Sequence, residues 1–297
     1  MRRAAPRRPR SGRMVGVTTS STAFPDDALI DSLVTLAAQL ATTAGTLVRD
    51  GRPDQVLVAG TKSSPIDVVT TMDTDSELLL RRLIGEARPA DGILGEEGDA
   101  VAGTSGLTWV VDPIDGTVNY LYGLPSYSVS VAVVAGEPDP ATWVPIAGCV
   151  YRVLDGATYT AGRGRGAYLD GRRIAVNDAH PLSHSLVSTG FGYTTERRRA
   201  QGAVVAALLP LVRDIRRIGS AALDLCAVAS GNLDLHYERG LKPWDLAAGQ
   251  LIALEAGAVV TGLHGSRATE QMTVAGPAAS VAALVGLLEA LGADEGP

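Results

Sequence analysis

Apolar positions along the chain switch between a helical and an extended period. Over residues 26–49, Leu29, Leu33, Leu36, Leu40, Ala44 and Leu47 recur three to four apart, the spacing of one face of an amphipathic helix. Asp26 or Asp27 can cap its start, and Gly51 follows its end. A polar turn, Thr61-Lys-Ser-Ser-Pro65, leads to Asp67 and Asp73, and a second helix is predicted from about Asp75 to Ala87. Ile93-Leu94 reads as a short strand ending at Gly95-Glu96-Glu97, and Leu107–Val111 as the next. Small and apolar residues alternate from Tyr127 to Val134, and Trp143–Val153 continues in the same manner, with Gly136, Pro138 and Pro140 between them. That pattern predicts an antiparallel meander. The remainder alternates: strand Ser185–Ser188, helices 196–209 and 220–230, strand Leu233–Tyr237, helix 244–256, strand Ala258–Thr261, and a last helix from Pro277 to about Leu291. Strands on strands followed by β-α alternation predict an α+β half and an α/β half. The expected division is a basic extension at 1–25, an α+β domain at 26–170 and an α/β domain at 171–292, with no internal repeat.

Charge changes this picture in one respect. Six arginines and no acid fall in residues 1–13, so the rest of the chain stands at −12 against −6 overall. An acidic body suits cation binding and argues against a nucleic-acid surface on the folded part. The head carries Pro and Ser but no apolar run and is expected to be a disordered, solvated tail. Its arginine doublets are followed by no apolar export segment, and no stretch approaches the ~18 uninterrupted apolar residues of a membrane span. Cys149 and Cys226 lack metal-type spacing and read as reduced core residues, which places the protein in the cytoplasm. At 297 residues, 46% of them hydrophobic, the chain can bury an ample core.

Candidate chemistry concentrates in Trp109–Gly123. An apolar run there ends in two carboxylates, Asp112 and Asp115, separated by Pro113-Ile114, and Gly116-Thr117 opens a helix. Glu96-Glu97 and Trp244-Asp245 are further acidic points at the ends of apolar segments or the starts of helices. No His or Cys accompanies them, and oxygen-only ligation selects Mg²⁺, Mn²⁺ or Ca²⁺ over zinc. Gly116 has no side chain, so its amide and that of Thr117 can approach phosphate oxygens at a helix start. Other signals read as structural. Gly162-Arg-Gly-Arg-Gly-Ala167 matches a dinucleotide fingerprint, but a strand-turn pattern follows and no helix opens, so a glycine-rich hairpin is expected. Arg197-Arg-Arg199 reads as a solvated helix face at the rim. His180, His184, His236 and His264 show no ligand spacing, and His236, alternating with apolar residues, is expected to be structural.

Gly95-Glu-Glu97, Asp112-Pro-Ile-Asp-Gly-Thr117 with Asn119, and Trp244-Asp-Leu-Ala-Ala-Gly249 with Glu255-Ala-Gly257 resemble the signatures of inositol monophosphatases. Lys62-Ser-Ser-Pro65 with Asp67 and Asp73 resembles that family's N-terminal loop, and Arg217–Leu225 its second-domain helix start. The likeness covers about residues 27–290, with Tyr120 and Ala258 as small departures. It implies a layered α-β-α-β-α sugar-phosphatase sandwich with the site between its halves.

The resemblance also implies roles. Glu96, Asp112 and the Ile114 carbonyl would hold one Mg²⁺ beside the attacking water, and Asp112, Asp115 and Asp245 a second beside the leaving oxygen. A third ion is expected to be loosely held through Glu96, with Mn²⁺ as a substitute metal. Thr117, paired with Asp73, would orient and deprotonate the water. Asp115, Gly116, Thr117, Gly190, Glu238 and Asp245 would contact substrate, with Gly190-Phe-Gly-Tyr193 as the sugar wall. Direct attack by water is expected, because no Cys, His or Ser stands in a nucleophile arrangement near these motifs. The expected activity is Mg²⁺-dependent hydrolysis of inositol 1-phosphate by a lithium-sensitive homodimer. Same-scaffold rivals act on histidinol phosphate, fructose 1,6-bisphosphate or a phosphonucleotide. A non-enzymatic rival is an RNA or transcription-complex partner using the arginine head.

Overall fold

The computed structural model describes residues 25–296; the arginine head and all but the last residue of the 1–25 extension lie outside the described residues. Helix α1 (Asp27–Asp50) begins where the Asp26 carboxylate accepts the Leu29 amide at 2.8 Å. It is long and apolar enough to cross a membrane by length and composition alone. Its stripe of Ile30, Leu33, Ala37, Leu40, Ala44 and Val48 is instead buried in the core beneath the first large sheet. Strands β1 (Val58–Thr61) and β2 (Val68–Thr70) form an antiparallel pair whose connection is the polar turn.

Helix α2 (Thr71–Ala87) starts four residues earlier than expected. The Thr70 amide and hydroxyl both donate to Asp73 Oδ2, at 2.8 and 2.5 Å, closing a capping box. Thr70-x-x-Asp73 carries that signal in the sequence.

Seven strands follow in sheet order: β3 (Gly92–Gly95), β4 (Leu107–Asp115), β5 (Ser128–Ala135), β6 (Val144–Arg152), β7 (Thr158–Gly162), β8 (Gly166–Leu169) and β9 (Arg172–Ile174). Only β3 and β4 run parallel, so the meander is as expected. A short helix α3 (Thr117–Tyr122) links β4 to β5. The glycine-rich segment is the β7–β8 hairpin, and Glu255 accepts the Gly164 and Gly166 amides there at 2.7 and 2.8 Å.

The second half comprises β10 (Leu186–Thr189), α4 (Thr195–Leu208), β11 (Asp214–Arg216), α5 (Ala221–Ala229), β12 (Leu235–Glu238), α6 (Pro243–Glu255), β13 (Val259–Thr261), β14 (Thr273–Gly276) and α7 (Ala278–Ala290). Its sheet order is β11-β10-β12-β14-β13, mixed in direction. The sequence pattern omits β11 and β14. Both are only three or four residues long, and β14 is buried on both faces, which removes the polar alternation that marks a strand.

Five layers result. Helices α1 and α2 pack on one face of the seven-stranded sheet, α5 and α6 lie between the two sheets, and α4 and α7 cover the outer face of the five-stranded sheet. Along β4, Trp109 and Val111 enter the α1/α2 core, while Val110 enters the core shared with α5 and α6. Cys149 and Cys226 are buried and unpaired.

Candidate active site

Asp112 and Asp115 are three residues apart on β4, and regular pleating would send them to opposite faces. The register against β5 prevents this: Asp112 faces Ser130 and Asp115 faces Ser128, so three steps on β4 match two on β5. One extra residue makes a β-bulge. Ser128 and Ser130 share the sheet face toward α5 and α6, with the Ser130 hydroxyl on the Trp244 carbonyl and Ser128 Oγ beside Ser220 Oγ. Both aspartates therefore point at the N-termini of α5 and α6, where Ser220 and Asp245 stand. Pro113, which has no amide to pair, sits within the bulge, and its carbonyl accepts the Ser76 hydroxyl at 3.3 Å. Gly116 then turns with φ of 98°, and a Cβ there would come within 2.9 Å of the Ser126 carbonyl and 3.1 Å of that of Gly219.

Three acids are each held by one oxygen, leaving the other for the cavity. Asp112 Oδ1 accepts the Ile114 amide at 3.0 Å. Asp115 Oδ2 accepts the Ser220 hydroxyl at 2.5 Å and the Ala222 amide at 2.8 Å. Asp245 Oδ2 accepts the Lys242 amide at 2.7 Å, at the N-cap residue that starts α6. Asp112, Asp115 and Asp245 each bring a carboxylate oxygen within 4.8 Å of the others. Glu96, from the end of β3, lines the same cavity of about 540 Å³.

Burial pushes all four carboxyls up from their usual range, opposed at Asp115 by its hydrogen bonds and at Glu96 by Lys62. Mutual repulsion adds to the rise at Asp112 and Asp245. Glu96 reaches about 7 and Asp115 about 6. Crowded, buried, oxygen-only acids with directed free oxygens suit hard divalent cations, and a Mg²⁺ or Mn²⁺ set fits the residues present.

Beside this cluster Thr117 Oγ1 lies 2.9 Å from Asp73 Oδ1 and 3.1 Å from the Ile114 carbonyl. A hydroxyl that donates to Asp73 turns its lone pairs toward the cavity. Lys62 Nζ reaches Glu96 at 2.7 Å and Glu97 at 2.5 Å. Burial disfavours its charge, and the two glutamates outweigh that and hold the ammonium.

The sequence reading missed Glu77 and Asn119's function. Glu77 is 2% exposed, and its two oxygens accept the Glu97 and Gly98 amides at 2.8 Å each, which fixes the turn carrying Glu96. Gly95 leaves room for it, since a Cβ would lie 2.5 Å from the Glu77 carboxyl carbon. A buried acid at helical spacing offers no sequence signal apart from its Arg81 partner one turn on. Asn119 Nδ2 donates to the Ser126 and Ile218 carbonyls at 2.7 and 2.9 Å, tying the α3 turn to the approach of α5.

The opposite wall comes from the second half. Gly190, Phe191, Gly192, Tyr193 and Glu238 line the cavity facing the four acids. A Cβ on Gly190 would fall 1.9 Å from Glu238 Oε1, so glycine makes room for that carboxylate. Burial, reinforced by Asp224, raises Glu238 to about 8. Arg197, read as solvated, reaches the same cavity. Arg198 instead donates to the Gly192 carbonyl at 2.7 Å and lies over Tyr193.

The layered architecture and the oxygen-only acidic pocket together define the class of metal-dependent phosphatases. Within that class the chain belongs to the inositol monophosphatase family, whose model matches residues 29–292. The inositol-1-monophosphatase SuhB of Mycobacterium tuberculosis is 49% identical over 208 residues, 67% of this chain and 70% of that one. A Nus factor SuhB of Xylella fastidiosa is 42% identical over 210 residues, covering 70% and 73%. Among solved structures, Mycobacterium tuberculosis SuhB aligns with a TM-score of 0.75 at 41% identity, over 89% of this chain and 98% of that one.

Proposed function

We propose that this phosphatase is a Mg²⁺-dependent phosphomonoesterase that hydrolyses inositol 1-phosphate to inositol and phosphate. The observation that carries this reading is the convergence of Asp112, Asp115, Asp245 and Glu96 beside the Thr117–Asp73 pair. Phosphate monoesters hydrolyse so slowly that acceleration of up to ~10²¹ is needed, whereas general-base action contributes about 10²–10⁴. Cation chemistry therefore has to supply most of the effect: Mg²⁺ lowers the pKa of water and offsets the charge that builds on phosphate oxygens.

The chain's own residues do the rest. Glu96, Asp112 and the Ile114 carbonyl form one candidate ligand set, and Asp112, Asp115 and Asp245 the other. Thr117 Oγ accepts a proton from the attacking water as its own proton moves toward Asp73. The Gly116 and Thr117 amides hold phosphate oxygens. Glu238, with Gly190 leaving it room, accepts hydrogen bonds from sugar hydroxyls. The name of the mycobacterial relative supports inositol 1-phosphate among possible esters. A homodimer sensitive to lithium belongs to the same proposal.

The test is turnover of inositol 1-phosphate, histidinol phosphate, fructose 1,6-bisphosphate and a phosphonucleotide, each with and without Mg²⁺. The highest kcat/KM is expected for inositol 1-phosphate, with none in chelator. A histidinol phosphate rate well above it would replace the substrate assignment. The relative called a Nus factor favours a second reading, a role in a transcription complex. Deleting residues 1–13 separates the two, since the second reading requires lost nucleic-acid affinity at unchanged phosphatase rate.

A further inference from the structure

On the far wall of the cavity three side chains form an arrangement that the phosphate chemistry leaves unused. His236 and Glu238 are two residues apart on β12, so both leave the same face of the strand. Asp224 reaches them from α5. A ring nitrogen of His236 and one carboxylate oxygen each of Asp224 and Glu238 all lie within 4.8 Å of one another. His236 Nε2 is 3.8 Å from Glu238 Oε2. Asp224 is 1% exposed and His236 is fully buried, yet Asp224 Oδ1 and His236 Nε2 have no hydrogen-bond partner among the described residues. Buried polar atoms of this kind are rarely left unmatched, because nothing then replaces their lost hydration.

The surroundings orient both orphans. Ser188 Oγ, on β10, lies 2.9 Å from His236 Nδ1. The same hydroxyl lies near enough to Asp224 to favour its charged form. One assignment serves both neighbours: Nδ1–H donates to Ser188, and the Ser188 hydroxyl proton turns toward Asp224. That tautomer leaves Nε2 with its lone pair toward Asp224 and Glu238. Metal-ligating histidines are fixed in this way, through a hydrogen bond from the other ring nitrogen. Gly190, having no Cβ, leaves the space that the Glu238 carboxylate occupies beside this group.

We propose that Asp224, His236 and Glu238 form a binding site for a late first-row divalent cation of the Zn²⁺ or Co²⁺ kind, separate from the oxygen-only cluster. The imidazole sets the preference, since nitrogen donors favour such ions over Mg²⁺. Tetrahedral bonds of about 2.0–2.1 Å imply donor separations of about 3.4 Å, so the trio needs only a modest contraction. Asp224 and Glu238 both line the cavity, so the ion's remaining positions open toward the bound sugar.

Binding tests this independently of any phosphatase activity. Full-length protein in excess Mg²⁺ is titrated with Co²⁺ and followed by visible absorption. Wild type is expected to take up one further ion with a nitrogen-ligated spectrum, and His236→Phe to lose both. Ser188→Ala, which keeps all three ligands, is expected to weaken Co²⁺ by about 10–100-fold. In ¹⁵N-histidine-labelled wild type, Zn²⁺ should shift the Nε2 resonance of His236, a readout that stands even if His236→Phe does not fold. An unmoved His236 resonance, or Co²⁺ uptake and spectrum unchanged in His236→Phe, overturns the proposal.

Discussion

The floor and the far wall of the cavity are both built from buried and half-buried acids, yet they are organised differently. On the floor, Asp112, Asp115 and Asp245 are each anchored at one oxygen by a backbone amide, two of them at helix N-termini. Those amides belong to a bulge and two helix starts, so the free oxygens are aimed by the fold itself. On the wall, Glu238 is placed by space, through the missing Cβ of Gly190, and Asp224 Oδ1 has no hydrogen-bond partner among the described residues. Rigid backbone anchoring suits a site whose charges must be in position before reaction. A wall set by space and side chains suits recognition, where small changes alter which ring fits. The difference teaches that floor variants should change rate, and wall variants affinity.

The sharpest way to break this contrast is Asp112→Asn. It removes the charge shared by both candidate ligand sets while keeping shape and the contact to Ile114, so kcat should fall by about 10³-fold or more, as for loss of a strong transition-state contact. The metal-free fold should be no less stable, because Asp112 is raised by burial and by repulsion from Glu96, Asp115 and Asp245. Near-normal kcat in this variant would remove Asp112 from the machinery. Next is Thr117→Val, which keeps the volume and deletes the hydroxyl 2.9 Å from Asp73. A loss of about 10²–10⁴ in kcat is expected, with substantial recovery in Thr117→Ser. A valine variant as slow as the serine one would reduce Thr117 to a spacer.

These two positions were legible without coordinates because floor chemistry is compressed into one run, Asp112–Thr117, whose proline and glycine announce an unusual backbone. Helix α1, the meander and the β7–β8 hairpin were legible for a similar reason, since their patterns are local. The start of α2 was misplaced, because the Thr70–Asp73 cap lies within a strand that runs straight into the helix. The placements of Glu77, Asn119 and the Asp224–His236–Glu238 group are long-range. Their meaning depends on which element lands beside them, and spacing along the chain does not carry that. The neighbours that would make His236 a ligand lie one strand step and one helix away, so the sequence pattern shows only a buried strand position.

Stability should separate floor from wall more gently. In metal-free protein the Glu96 carboxyl sits near pH 7 and that of Asp115 near 6, above their unfolded values. The folded chain then binds more protons than the unfolded one, so this contribution is full below about pH 4 and is lost as pH rises through about 6–7. Melting temperature in chelator should therefore fall from pH 5 to pH 8. Mg²⁺ at 100 times its Kd should add about 2.7 kcal/mol, a rise of roughly 4–5 °C for a chain of 297 residues, and should flatten the pH slope. Identical melting curves with Mg²⁺ and with chelator at pH 8 would mean the four acids hold no cation.

The smallest effect expected is on the wall. In Gly190→Ala the new methyl group would lie 1.9 Å from Glu238 Oε1. Gly190 has no positive φ that alanine would strain, so the chain can accept the residue and the carboxylate has to move. Glu238 can swing because it caps no helix and accepts no amide among the described residues, whereas the floor acids are tethered by amides they accept. A sugar hydroxyl that met Glu238 then finds it displaced, and KM should rise by up to about tenfold, the loss of roughly one hydrogen bond. The floor stays as it was, so kcat and the Mg²⁺-induced rise in melting temperature should hold. A variant that lost kcat at unchanged KM would show that the wall acts on the reacting phosphate through the floor, and the division of labour between the two faces would have to be given up.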